Sequence, residues 1–234
     1  MIDKLKEECG VFGIFQNKDA AVLTQLGLHA LQHRGQEGAG IVSYDGNEFV
    51  SIRKKGLVSD NFNKIKTLKK LKGNSAIGHV RYSTAGGSIK ENIQPLFANL
   101  ADGGFACAHN GNLINANHLR EKLTKKGSIF QTTSDTETIL QLVARSKEIS
   151  VEKKIIDAIG KIKGAFSLVI LTKDKMYGIK DPFGIRPLVI GKIDNSFILA
   201  SETCALDMIG AKYVRDVENG EIVEISIHGI RSIK

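Results

Sequence analysis

Short apolar runs at both ends of the chain, with amphipathic stretches between and beside them, constrain the fold more than any other feature of this sequence. After a polar stub, CGVFGIF at 9–15 reads as a buried strand, 40–44 and 49–53 as a hairpin around Asp45-Gly46, and 75–82 as another strand. A strand over 104–109 is expected to end at Asn110-Gly111, and later runs at 165–171, 176–179, 188–193, 197–200 and 222–227 read as strands too. The apolar spacing over 20–33 predicts a helix ending at Arg34-Gly35, with glycine suited to a left-handed cap, and a second helix over 115–126 stopped by Gly127. Ser134-Asp135-Thr136-Glu137 fits a capping box, with the Ser134 hydroxyl accepting from the Glu137 amide and the Glu137 carboxylate returning to the Ser134 amide, and it opens a helix over 138–147. Further helices are expected at 151–162 and 203–209. The pattern points to a layered α+β sandwich and not to regular βαβ alternation.

A length of 234 residues suits one large domain or two small ones; with three prolines and no Pro-rich or Ser-rich linker, one continuous domain is the economical reading. Hydrophobic residues at 42% and charged residues at 25% exclude disordered and fibrous classes. The net charge of +8 comes mostly from scattered lysines, with no arginine stripe interleaved with aromatics, so a solvated surface explains it better than nucleic-acid binding. Cys9, Cys107 and Cys204 lie far apart with no zinc-type spacing, which argues against a disulfide framework or a structural metal and suits a reducing cytoplasm. No apolar run reaches the roughly 18 residues of a membrane helix, and MIDKLKEE is too polar for a secretory signal, so a cytoplasmic location without membrane contact is expected.

Cys9 has two readings. It is either a small buried hydrophobe at a strand edge or a nucleophile, and the polar stub ending in Glu7-Glu8 favours the second. Cleavage after Glu8 would place a free α-amine beside the thiol; such an amine titrates near pH ~8 and can serve as general base. Acylation of a thiol needs donors for the developing oxyanion, which the Asn110 side-chain amide and the Gly111 backbone N–H could supply, although Asn-Gly is also a plain hairpin-turn signal. Arg81, entering a Gly/Ser/Thr loop, could hold a carboxylate with help from the Thr84 hydroxyl, or could simply form a surface salt bridge. Asp135, in a first helical turn, could receive an ammonium or merely complement the helix dipole. Together these residues form the complement of an α-amino acid carrying a side-chain amide.

The blocks CGVFGIF, LQHRGQEGAGI, GLVSD, GHVRYSTAGG, NIQPL, AHNGNL, TTSDTE, KGAFSLVI, DPFGIRPLVIG and SETCALD, in that order, resemble the glutaminase domain of the glutamine phosphoribosylpyrophosphate amidotransferases, class II glutamine amidotransferases. The resemblance implies a four-layer αββα sandwich of the N-terminal-nucleophile hydrolase type. It implies that residues 1–8 are a propeptide and 9–234 the glutaminase domain. It makes Cys9 the nucleophile, Asn110 and Gly111 the oxyanion pair, Arg81 the glutamine carboxylate site and Asp135 the ammonium site, with Arg34 and Tyr82 supporting. Hexosamine-forming relatives carry tryptophan after the arginine of the GHVRYSTAG block, where this chain has Tyr82.

The implied activity is hydrolysis of glutamine to glutamate and ammonia through a Cys9 thioester, as part of amidophosphoribosyltransferase in de novo purine synthesis. The alternatives are an unprocessed, non-catalytic glutamine-binding domain, or a stand-alone class II glutaminase serving another acceptor. Full-length members continue into a phosphoribosyltransferase domain that nothing here matches, so the ammonia acceptor is expected to be a separate domain or chain, with a homo-oligomer in the full-length form. Mg2+ with phosphoribosylpyrophosphate and the [4Fe-4S] cluster of some members are expected to lie off this chain, with no cofactor within it; Cys107 and Cys204 are not assigned to a cluster, which needs about four thiolates at one place.

Overall fold

The computed structural model describes residues 9–82 and 90–233. β1 (Gly10–Phe15) is buried along its whole length, as its unbroken apolar run requires. α1 (Ala20–Ala30) and a 3-10 turn at Gln32–Arg34 lead into the hairpin β2 (Gly38–Tyr44) and β3 (Phe49–Lys55). The short helices α2 (Val58–Phe62) and α3 (Ile65–Leu68) precede β4 (Ser75–Arg81). The middle of the chain holds β5 (Leu96–Leu100), β6 (Gly103–Leu113), α4 (Ala116–Lys125), α5 (Asp135–Ala144) and α6 (Val151–Ile159). Then come β7 (Gly164–Thr172), β8 (Met176–Lys180), β9 (Val189–Ile193) and β10 (Ser196–Ala200). α7 (Cys204–Met208), β11 (Lys212–Asp216), β12 (Ile222–Ser226) and β13 (Gly229–Ser232) complete the described elements.

The strands form two antiparallel sheets, one in the order β11-β9-β10-β1-β4-β2-β3 and one in the order β13-β12-β8-β7-β6-β5. Between them, Val11, Val42 and Ile77 of the first sheet pack on Ala106, Ala108 and Val169 of the second. Phe12, Ile14 and Ile41, on the opposite face of the first sheet, meet Leu28 and Leu31 beside α1 and Leu206 of α7. Phe105, Cys107 and Leu168 of the second sheet meet Leu123, Ile139 and Ile155 of α4, α5 and α6. Alternate residues of one strand thus serve two cores, and the four layers are helix, sheet, sheet, helix.

Four local expectations change. α1 stops at Ala30, and Gly35 is extended at φ −170° instead of left-handed; its lack of a side chain is needed because a Cβ would come 2.5 Å from the Arg81 carbonyl carbon. β6 does not end at Asn110-Gly111 but runs through to Leu113, with Asn110 opposite Ser167 and Gly111 opposite Phe166, so this pair is no hairpin turn. α5 begins at Asp135 and ends at Ala144, earlier at both ends than 138–147. Its capping box is not formed: Ser134 Oγ accepts from the Thr136 N–H at 3.3 Å, and the buried Glu137 carboxylate instead accepts from the N–H groups of Gln131 (2.8 Å) and Thr132 (2.7 Å) and from the Thr132 hydroxyl. The preceding loop offers Glu137 two amides where the box offered one, and the carboxylate takes the larger set.

Candidate active site

Cys9 stands immediately before β1, the strand at the middle of the first sheet. Its φ of +62° is unusual for a residue with a side chain. The surrounding bonds account for it. The Cys9 N–H donates to the Arg34 carbonyl at 2.9 Å, and Arg34 Nε donates back to the Cys9 carbonyl at 2.6 Å. The thiol sulfur lies 3.4 Å from the Tyr82 N–H, which donates to it, and 3.5 Å from the Tyr82 carbonyl.

Cys9 opens into a cavity of about 450 Å³, with Arg81, Tyr82, Gly111 and Asp135 in the same wall. Three segments supply these groups: the end of β4, the distal part of β6 and the first turn of α5. Alternation along β6 puts Asn110 on the face of Ala106 and Ala108, toward the sheet that carries Cys9, while Gly111 lines the cavity itself. The Asn110 side chain is fully buried, and neither its nitrogen nor its oxygen has a hydrogen-bond partner among the described residues. A buried amide left this way is costly and stands ready to bond a group that enters beside it. Gly111 has φ +148°, and a Cβ there would fall 2.1 Å from the Ala165 carbonyl oxygen, so no other residue fits without displacing β7.

Asp135 is fixed before any ligand arrives. Its Oδ2 accepts from the Leu113 N–H at 2.9 Å, and Oδ1 lies 3.5 Å from His109 Nδ1. Burial pushes the Asp135 carboxyl up, but the His109 imidazole and the Leu113 and Thr136 N–H groups outweigh it and hold the carboxyl below the usual range. A formal negative charge therefore faces the cavity at neutral pH.

Of the residues singled out from the sequence, Cys9, Arg81, Tyr82, Gly111 and Asp135 line the cavity, Asn110 is buried beside Gly111 in β6 without lining it, and Arg34 is buried and bonded to the Cys9 carbonyl. Thr84 and residues 1–8 lie outside the described residues. Sequence reasoning gave no role to three supporting groups. His109 bonds Thr136 Oγ1 through Nδ1 at 3.1 Å, and its N–H donates to Gln94 Oε1 at 2.7 Å. His79 Nε2 donates to the His109 carbonyl at 3.0 Å, and burial drives its imidazole down to about 3, so it stays neutral. Glu202 pairs with Arg34. The period-2 alternation of GHVR, which turns His79 inward, was the available signal for the second; the others are joined only by tertiary packing.

The other two thiols are unlike Cys9. Burial, aided by the negative charge of Asp135, pushes Cys107 up, and burial with Glu202 pushes Cys204 up, so neither is an activated thiolate. Among the described residues there is no group of three or more His, Cys, Asp or Glu side chains placed to hold a metal ion, and no helix long and apolar enough to cross a membrane.

Comparison with known proteins bears on the same cavity. The family described as "Glutamine amidotransferase domain" matches residues 79–208. Amidophosphoribosyltransferase of Rhizobium etli is 54% identical over 231 residues, which are 99% of this chain and 47% of that protein, and the Bacillus subtilis enzyme of the same name is 48% identical over 99% of this chain and 48% of its own. The chain thus spans about half the length of the curated relatives it matches. Among solved structures, one described as the allosteric regulatory enzyme of purine biosynthesis superposes with a TM-score of 0.93 at 47% identity, covering 97% of this chain and 49% of that one. Glutamine phosphoribosylpyrophosphate amidotransferase from Bacillus subtilis, complexed with ADP and GMP, follows at TM-score 0.91 and 45% identity, with 97% and 49% covered. The expected four-layer N-terminal-nucleophile fold is the fold of this chain.

Proposed function

Because the chain belongs to the glutamine amidotransferase domain family, we propose that it is the glutaminase part of an amidophosphoribosyltransferase, releasing ammonia from glutamine through a thioester on Cys9. The observation that carries this reading is the thiol of Cys9 opening into one cavity with Arg81, Gly111 and Asp135. Asp135 takes the α-ammonium of glutamine and Arg81 its α-carboxylate, which leaves the side-chain carboxamide directed at the thiol. Removal of residues 1–8 converts the Cys9 nitrogen to an amine, and that amine takes the thiol proton as sulfur attacks the carboxamide carbon. The oxygen of the tetrahedral intermediate accepts from the Asn110 amide and the Gly111 N–H. The amine returns its proton to the departing nitrogen, the C–N bond breaks, ammonia leaves, and water then cleaves the thioester to give glutamate and the free thiol. Thr84 is assigned a hydroxyl contact to glutamine, and Tyr82 a backbone N–H that steadies the sulfur.

The ammonia acceptor is phosphoribosylpyrophosphate on a second domain or chain, a reading supported by relatives about twice as long as this sequence. Mg2+ with that substrate would be held there. The cysteines here do not fit an iron–sulfur cluster, since Cys9, Cys107 and Cys204 stand before β1, within β6 and at the start of α7. Action in the cytoplasm is supported by the few, widely separated cysteines of the sequence, and a homo-oligomer in the full-length form rests on the resemblance alone. The test is Cys9→Ala in the untagged chain: glutamine turnover is expected to fall by at least about 1,000-fold while glutamine binding, read by calorimetry, persists. Turnover near that of the unsubstituted protein would overturn the reading.

A further inference from the structure

Arg34 is 2% exposed, and a guanidinium so deeply placed needs a compensating anion held in good geometry. Among the described residues, one such anion comes from a distant part of the chain. β10 pairs with β1 through Phe12 opposite Ala200, and the pairing continues past the strand, with the Ser201 N–H donating to the Val11 carbonyl at 3.0 Å and the Val11 N–H to Ser201 Oγ at 2.9 Å. The next residue, Glu202, is thereby brought beside the start of β1, where its Oε1 accepts from Arg34 Nη1. The stem of Arg34 lies over Gly10, where an added Cβ would meet Arg34 Cδ at 3.4 Å. Its guanidinium therefore spans from the Glu202 carboxylate to the carbonyl of Cys9.

We propose that Glu202 is a positioning residue for the nucleophile, acting through Arg34 to fix the Cys9 peptide unit and to balance the positive charge beside its amine. The inference rests on the glutaminase reading above and adds to it a residue far from the cavity wall. Two further donors hold the carboxylate in place: His33 Nε2 at 3.1 Å and the Cys204 thiol at 3.5 Å. Burial pushes Glu202 up, but the bond and charge of Arg34, with His33 behind them, hold it below the usual carboxylate range, so it is an anion at neutral pH. Among the described residues, the titratable and charged groups on the elements packed around the cluster include Cys9 itself, His29 in the last turn of α1, His33 and Arg34 of the 3-10 turn, Glu37 before β2, Arg81 and Tyr82 at the end of β4, and Cys204 and Asp207 of α7.

Two consequences separate positioning from mere support. Without the Glu202 charge, the guanidinium loses an anchor, the Cys9 carbonyl is held less firmly, and the chemical step slows while glutamine, bound by other residues, binds as before. With one negative charge fewer beside Arg34, the field at the Cys9 amine is more positive and disfavours its protonated form, so the acid limb of the rate profile moves to lower pH.

The experiment measures kcat and KM for glutamine from pH 5.5 to 9 for the untagged full chain and for Glu202→Gln, Glu202→Asp and Cys9→Ala. For Glu202→Gln, kcat is expected to fall about tenfold or more with KM within about twofold, and the acid limb to move down by at least about half a pH unit. Glu202→Asp, which keeps the charge on a shorter arm, should restore the limb and recover only part of kcat. Unchanged kcat in either variant, or a loss of kcat with an unmoved limb in Glu202→Gln, overturns the inference. If Glu202→Gln does not fold, Glu202→Asp decides through its kcat alone. Turnover by Cys9→Ala would instead remove the glutaminase reading, and this inference with it.

Discussion

Cys9 holds a left-handed backbone conformation that costs a residue with a side chain on the order of 1–3 kcal/mol, and the paired bonds to Arg34 offset that cost. The sulfur is held beside the end of β4 by the Tyr82 N–H, which donates to it. Asp135 is treated similarly, with its carboxylate tied to the Leu113 N–H and set against His109. Asp135→Asn keeps the shape and removes the charge; KM for glutamine is expected to rise about 10- to 100-fold with a smaller change in kcat, and steady-state kinetics check it. The sign with pH follows from its lowered pKa: the charge is fully present above the ordinary carboxylate range and is lost only as pH falls through the lowered value. Affinity for glutamine should therefore be flat from pH 8 down to about 5, and a steep loss near pH 6 would contradict this assignment.

Among the elements, β6 joins fold to chemistry, because one strand supplies Asn110 toward the intersheet core and Gly111 to the cavity. Gly111→Ala would press a methyl against the Ala165 carbonyl in a conformation that disfavours any side chain. Stability is expected to drop by about 1–3 kcal/mol in denaturant titration, with turnover falling at least 100-fold; near-normal turnover would show that this backbone does not shape the site. The apolar runs of β1, β2, β7 and β8 were legible because nearly every position in them is buried. β11, β5 and β13 were not: they lie at sheet edges, and KYVRD in β11 is exposed along most of its length, which erases the alternation. The course of β6 through Asn110-Gly111 was hidden for a related reason, since a turn signal reports local preference and the pairing with β7 overrides it. Cys9, Arg81, Gly111 and Asp135 could be singled out from the sequence and line one cavity, whereas Glu202 could not, because its link to Arg34 spans 168 positions of sequence.

At the scale of the molecule, the second sheet is fastened to its helices by ions away from the cavity. Glu224 of β12 accepts from Lys175 at 2.6 Å and from Arg231 of β13 at 2.8 Å, and Arg231 also reaches Glu152 of α6 at 2.6 Å. Burial pushes Glu224 up, but Arg231 and Lys175 together hold it at about 2. Its contribution is complete above its ordinary value of 4.5 and is lost as pH falls from there toward 2. Glu224→Gln should cost about 1–3 kcal/mol at pH 7, and the gap from the unsubstituted protein should narrow below pH 4.5; a gap that widens with acid would contradict the assignment. The packing of the two sheets matters to function because it brings the ends of β4 and β6 and the start of α5 around Cys9, so that a chain beginning there could present both amine and thiol to one substrate. The most direct test of that claim is the intact mass of the untagged protein after reaction with an electrophilic glutamine analogue, with the adduct mapped by fragmentation. The expected result is a chain that begins at Cys9 and carries a single adduct on its sulfur; a chain that retains residues 1–8, or an adduct on any other residue, would contradict it.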